Sequence, residues 1–280
     1  MWYFPIVSAI LERTGKLVDK FHFNKFKNLK PTTAVVLVFL GMLSYCTIYT
    51  LLFNTNFPPL SSNVIGLLLL MIGFSYFQNY FEFKGLKIVD LSVREPINLL
   101  KHIFTGLLIF ILFQDERNIS HLVGIILASL VTIAFNFDYK KFKIKFNSGV
   151  IYVILSCFFS SSIVIVTKYL LEILSPEHIF LFRIIGVFLL MNLTQNIFRE
   201  NLTKENVGLG LLSGLFYFSS NLLYIYSYKD LGVNFTILLM FIGPIFTYLV
   251  SYFILKEQVR KKDILLSAIL LGIIITTLIK

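Results

Sequence analysis

Acidic side chains and sulfur are both scarce in this chain. Asp and Glu together number 15 against 25 Lys and Arg, and charged residues make up only 14% of the 280 positions. The two cysteines, Cys46 and Cys157, stand alone within apolar runs. That pattern excludes a disulfide framework and any CxxC metal site, and it reads as two buried thiols. The four histidines, His22, His102, His121 and His178, have no metal-ligand spacing. There is no glycine-rich phosphate loop and no serine in a nucleophile elbow. The sequence therefore carries no signature of an enzyme or of ATP drive, and neither a cofactor nor a metal is expected. Met1 to Ile10 has no basic flank and no small-residue cleavage site, so targeting is expected to rest with the first apolar segments rather than with a signal peptide.

What the chain has in excess is apolar surface. Hydrophobic residues make up 57% and mean hydropathy is +0.81, outside the globular range. A bilayer is the environment that satisfies such a composition. The formal charge of +10 sits mainly in short loops between apolar runs, where lysines meet headgroups. The expected partners are accordingly lipid and a small molecule, not nucleic acid. Taking about 20 apolar residues per crossing, segments fall at 2–22, 32–53, 62–83, 88–113, 118–136, 149–173, 177–197, 206–228, 231–255 and 263–279. Lys and Arg concentrate in the loops after odd-numbered segments, which points those loops to the cytoplasm.

The stretch from Gly66 to Asp115 recurs as Gly208 to Glu257. Phe74 falls on Phe216, Asn79 on Asn221, Lys87 on Lys229, and Ile103-Phe104-Thr105 on Ile245-Phe246-Thr247, without a gap. Upstream, Lys20 matches Lys168 and Pro31 matches Pro176 at a slightly different offset. Two halves follow, 1–136 and 149–280, joined by a basic linker over 137–148 that holds Lys140, Lys141, Lys143 and Lys145. With five crossings in each half, the second enters the membrane from the opposite side. The expected fold is an all-α integral membrane protein of ten transmembrane helices arranged as two inverted five-helix repeats, a construction common among secondary transporters.

Polar groups inside a bilayer are costly and tend to face a bundle interior. On the first segment, Glu12 and Lys16 share a face, as do Lys16 and Lys20. Arg13 and Lys16 lie deeper and are cavity candidates, whereas Asp19 and Lys20 read equally well as internal pairing and snorkelling. The fourth segment carries a stripe of Arg94, Asn98, Lys101 and Thr105 with Glu95 and His102 beside it. The matching stripe in the other half, Thr236, Met240, Gly243 and Thr247, is nearly uncharged and has Pro244 where the first half has His102. Pro96, Gly243 and Pro244 are the candidate helix breaks or gating points. Around the stripe, Arg183, Asn79, Asn221, Tyr224 and Tyr228 complete the substrate-binding candidates. Each has a plainer alternative: Arg183 pairing with Glu172 or Glu177, asparagines as interhelical glue, tyrosines as belt aromatics. Gly210 and Gly214 have the spacing of close helix packing, and Ser160, Ser161 and Ser162 suit a wet surface or interhelical bonds.

The close of each half, Lys87-Ile-Val-Asp-Leu-Ser92 through Asp115-Glu116 and Gly124-Ile-Ile-Leu, then Lys229-Asp-Leu-Gly-Val233 through Gly243-Pro244, Leu255-Lys-Glu257 and Gly272-Ile-Ile, resembles the drug/metabolite transporter superfamily and within it the EamA-like ten-helix transporters. Pro176 with Arg183 resembles the start of that family's second helix. The sequence departs from the pattern at His102 and at the turn glycine, which is Gln114 in one half and Lys256 in the other. The resemblance implies an exporter in the cell (plasma or inner) membrane, multi-pass, moving a small polar metabolite by alternating access. The charge of Arg13, Lys16, Arg94 and Lys101 favours a carboxylate or phosphate on that solute, such as an amino acid. If Glu12 and Glu95 fully pair with the lysines, the site is neutral and suits uncharged or zwitterionic solutes. A non-transporting scaffold or a membrane-embedded enzyme is the alternative class. The apolar fifth and tenth segments are expected at the periphery, where they offer a homodimer contact.

Overall fold

The computed structural model describes residues 2–26, 29, 31–53, 60–88, 97–136, 148–195, 203–243, 245–246 and 261–278. Among them there is no strand. In chain order the helices are α1 (Phe4–Lys25), α2 (Pro31–Leu52), α3 (Ser62–Ile88), α4 (Leu100–Leu112), α5 (Ile119–Asn136), α6 (Ser148–Leu170), α7 (Pro176–Gln195), α8 (Lys204–Leu231), α9 (Val233–Met240) and α10 (Lys261–Leu278), with a 3-10 turn at Gln114–Glu116 between α4 and α5.

Five of these helices, α2, α3, α6, α7 and α8, are long and apolar enough to cross a bilayer. Leu100–Leu112, Ile119–Phe135 and Ile264–Thr277 are apolar but shorter. Helix α1 has 22 residues, yet Glu12, Arg13, Lys16, Asp19 and Lys20 interrupt its apolar character. The outward faces are greasy: Leu51 is 75% exposed and Leu193 81%. A surface of that kind suits lipid and would be a liability in water.

Packing crosses between the halves. Helix α1 lies along α8, α3 along α6, α2 against both α7 and α8, and α3 against α7. Two glycines set the α2–α8 approach. A Cβ on Gly214 would stand 2.7 Å from the Gly41 Cα and from the Val38 carbonyl oxygen, and one on Gly210 would overlap Leu37. Close backbone contact through small residues is how helices associate where no hydrophobic drive separates them from lipid. Helix α5 packs on α4, α9 and α10, while Val123, Leu127 and Leu130 on α5 and Ile264, Leu265, Leu271 and Ile275 on α10 face outward.

The turn from α8 into α9 is made at Gly232, whose φ of 84° suits a residue without a Cβ. The first amides of α9 are capped from the other half. Val233 and Asn234 donate their N–H groups to the Glu116 carboxylate at 2.8 and 3.3 Å, and the Asn234 side chain donates to the Glu116 carbonyl at 3.2 Å. Lys168 at the end of α6 pairs with Glu116 and Asp115, each at 3.0 Å. The carboxylate thus satisfies helix-end amides and a cation together, which offsets its burial. Cys46 and Cys157 are both buried free thiols.

Candidate functional site: a charged centre between the halves

Five helices and the turn after α9 bring the polar candidates together. On α1, Lys16 pairs with Glu12 at 2.7 Å, as the spacing of four residues predicts. Glu12 also lies within electrostatic reach of Arg13 and of Lys101 on α4. His102 shares that neighbourhood, interacting with Lys101, Glu12, Arg13 and Lys16, and its ring lies 5.2 Å from the Phe241 ring just after α9. Arg13 runs against Gly243, where an added Cβ would stand 3.3 Å from its Nε. Gly243 thereby leaves room for the Arg13 side chain, just beyond the end of α9 at Met240.

The α4 stripe is turned inward. Thr105 is 4% exposed, and its hydroxyl donates to Ser161 on α6 at 3.0 Å; Ser161 in turn donates to the Lys101 carbonyl at 3.0 Å. The Cys157 thiol lies 3.5 Å from the Ile97 carbonyl, beside half-buried Asn98. Of the serine triplet, Ser161 therefore joins α6 to α4, whereas Ser162 bonds back to Phe158 on its own helix. Arg94, Glu95, Pro96, Pro244 and Thr247 lie outside the described residues.

Two expected ion pairs are replaced by hydroxyl contacts. Asp19 accepts from Ser213 at 2.5 Å and from Tyr217 at 2.8 Å, both on α8; the Lys20 side chain lies outside the described residues. Arg183 pairs with neither Glu172 nor Glu177. Its Nε donates to Ser75 on α3 at 2.9 Å, while Glu177 accepts from Tyr226 at 2.9 Å. The reason is register: Arg183 lies six residues, nearly two turns, beyond Glu177 (183 against 177), so the two do not share the neighbouring positions where helical pairs meet.

Tyr228 is 2% exposed and packs among Ile109, Phe113, Val233 and Ile237. It is a core residue here, not a belt aromatic. Its ring lies 4.3 Å from that of Tyr224, and the pair connects the two charged regions: Tyr224 senses Glu12, and Tyr228 senses Arg183. Asn79 and Asn221 spend an amide N–H on their own helices, donating to the Ser75 and Tyr217 carbonyls at 2.7 and 2.8 Å. Each amide keeps a second N–H and its carbonyl oxygen beyond that bond. No group of three or more His, Cys, Asp or Glu side chains with metal-site geometry occurs among the described residues.

Sequence reasoning passed over Ser75, Ser213, Tyr217 and Glu116 as functional groups. The first three carry no local signal, since a lone hydroxyl on an apolar helix reads as ordinary until its neighbour is known. Asp115-Glu116 had been noted as a turn, but its reach across to α9 depends on tertiary contact alone.

A family model for EamA-like transporters matches residues 147–279. Those residues belong to the EamA-like transporter family, within the drug/metabolite transporter superfamily. The matched family is one of transporters, and its match together with the apolar helices supports a membrane protein. The EamA match covers the half containing α6 to α10, and with it Arg183, Tyr224, Tyr228 and Gly243. A crystal structure of a protein 13% identical in sequence has a TM-score of 0.82, covering 98% of this chain and 95% of that one. At that identity the likeness speaks for the fold alone. A comparison with curated proteins finds no match.

Proposed function

We propose that the protein is a secondary transporter, working as an exporter of a small polar metabolite bearing a carboxylate or phosphate, by alternating access across the cell membrane. The observation that carries this reading is the convergence of half-buried Glu12, Arg13 and Lys101 with the more exposed Lys16, between helices whose outward faces are apolar. Such charges are tolerated at membrane depth where they line a solute path. The proposed frame is ten crossings in two inverted halves, 1–136 and 149–280, around the linker 137–148. Reciprocal packing supports it: α1 of the first half lies on α8 of the second, and α6 of the second lies on α3 of the first. An inverted pair exchanges roles when the access side changes, which supplies two nearly equivalent states. A homodimer through α5 and α10 remains part of the proposal, supported by their outward apolar faces.

Flux from proteoliposomes loaded with a cellular metabolite pool tests the reading. Loss of anionic solutes faster than from protein-free vesicles is the expected result. A sealed preparation with no flux of any solute would favour a scaffold, and chemical conversion of a solute without flux would favour an enzyme.

A further inference from the structure

The charged centre divides into two parts of unequal balance. Around Glu12, one carboxylate faces Arg13, Lys16 and Lys101, and its short contact goes to Lys16. On the far side of the tyrosine pair stands Arg183, which pairs with no acid among the described residues. Its Nε is tied to Ser75, its electrostatic neighbour is Tyr228, and no described residue accepts from its two terminal nitrogens. Described carboxylates that lie inside the bundle are committed elsewhere: Glu177 to Tyr226, Glu116 to α9 and Lys168, Asp19 to Ser213 and Tyr217. A guanidinium buried without a counter-charge is costly unless an anion joins it. The Ser75 bond fixes the plane of the guanidinium and leaves the paired Nη edge free, the edge that receives carboxylate or phosphoryl oxygens two at a time.

We propose that Arg183 with Tyr228 forms one anion subsite and Arg13 with Lys101 a second, so that the solute is a small organic anion charged at both ends, a dicarboxylate or a phosphorylated carboxylate, lying along Tyr224 and Tyr228. This rests on the transport reading for its location but names a narrower class of solute. An amino acid fits less well, because Glu12, the carboxylate among the described residues of the centre that would meet its ammonium, is already held by Lys16. A dianion brings negative charge to both cationic regions, whereas a monoanion leaves one of them unmatched.

Binding to the purified full chain in lipid nanodiscs tests this without reading transport. The probes are succinate, its monomethyl ester, γ-aminobutyrate of the same backbone length, and 3-phosphoglycerate. At least one of succinate and 3-phosphoglycerate is expected to bind about tenfold more tightly than the monoester and γ-aminobutyrate, the ratio a single charge-assisted contact provides. Arg183→Lys keeps the charge and removes the paired edge; it should weaken dianion and monoester alike by about tenfold. Lys101→Gln should weaken the dianion while leaving the monoester within about twofold, since the monoester occupies the Arg183 subsite alone. Where Arg183→Lys does not fold, Ser75→Ala frees the Nε tether and should lower both affinities by about threefold. Equal binding of dianion and γ-aminobutyrate, no binding of either dianion, or unchanged affinities in Arg183→Lys or Ser75→Ala would overturn the proposal. Dianion binding without flux would instead remove the transport reading and leave the Arg183 subsite standing, and flux of neutral solutes without dianion preference would do the reverse.

Discussion

The α1–α8 and α3–α6 seams each join a helix from residues 1–136 to one from residues 148–280 and are held by different chemistry. Along α1–α8 the contacts are polar: Ser8 with Ser220, Asp19 with Ser213 and Tyr217, His22 with Asn206 at 3.2 Å, and Lys25 with Glu205 at the end. Along α3–α6 they are apolar: Val64, Leu68 and Met71 meet Ile163, Val166 and Leu170, and Phe77 and Phe81 stack on Phe159 at 5.4 and 5.7 Å. Two helices can therefore be joined in the same relation by hydrogen bonds or by dispersion. The choice follows from what each helix must carry. Helix α1 bears the charges of the centre, and the side chains near them need partners that also satisfy polarity. Helices α3 and α6 are largely free of that demand along their seam and close it with tight packing.

Six substitutions, in four experiments, would break or sharpen this contrast. Asp19→Ala should have the largest effect, about 3 kcal/mol, because it removes a carboxylate that two hydroxyls use, leaving Tyr217 without that acceptor and Ser213 with the long 3.5 Å contact to the Gly15 carbonyl. Reversible unfolding in lipid bicelles measures it, and a loss below about 1 kcal/mol would mean that the polar seam is held by something other than these bonds. Met71→Ala comes next, at about 2 kcal/mol, through the cavity it opens at a fully buried position on the apolar seam. The same unfolding assay in the presence of a small apolar cavity-filling gas such as xenon should recover part of that loss, with no recovery expected for Asp19→Ala.

Ser8→Ala and Ser220→Ala, singly and together, should show a coupling of about 0.6 kcal/mol in a double-mutant cycle, the size typical of interhelical hydrogen bonds in membranes. Additive losses would show that Ser8 and Ser220 are neighbours without an energetic bond. Smallest of all are Asn79→Ala and Asn221→Ala, each about 0.5 kcal/mol. Because each asparagine bonds its own helix, the two losses should agree although the seams differ. A much larger loss at one position would assign that asparagine to the solute or to a partner helix.

Much of the candidate site was legible along the chain. The Glu12–Lys16 pair follows from four-residue spacing, and the inward turn of Thr105, half-buried Lys101 and Asn98 follows from a polar stripe that lipid would reject. The repeat foreshadowed Asn79 and Asn221, whose side chains make the same bond in both halves. The plainer alternatives fell short for a shared reason. They paired Arg183 with acids nearby in sequence, placed Tyr228 in a membrane-surface belt, and gave Asp19 internal pairing at a helix end. In each case the partner came from a helix far along the chain: Ser75 for Arg183, an apolar core for Tyr228, Ser213 and Tyr217 for Asp19.

Composition and periodicity by themselves determine that this chain is helical, that its outer faces are apolar, and that its charges sit on particular helical stripes, because these properties depend on residue type and on spacing within one helix. Which stripe meets which is decided only by tertiary packing. The close approach at Gly41 and Gly214, the reach of Glu116 to the start of α9, and the solitary position of Arg183 all depend on surfaces more than a hundred residues apart in the chain. The free energy of a buried charge depends on the partner it finds, and local sequence does not contain that partner.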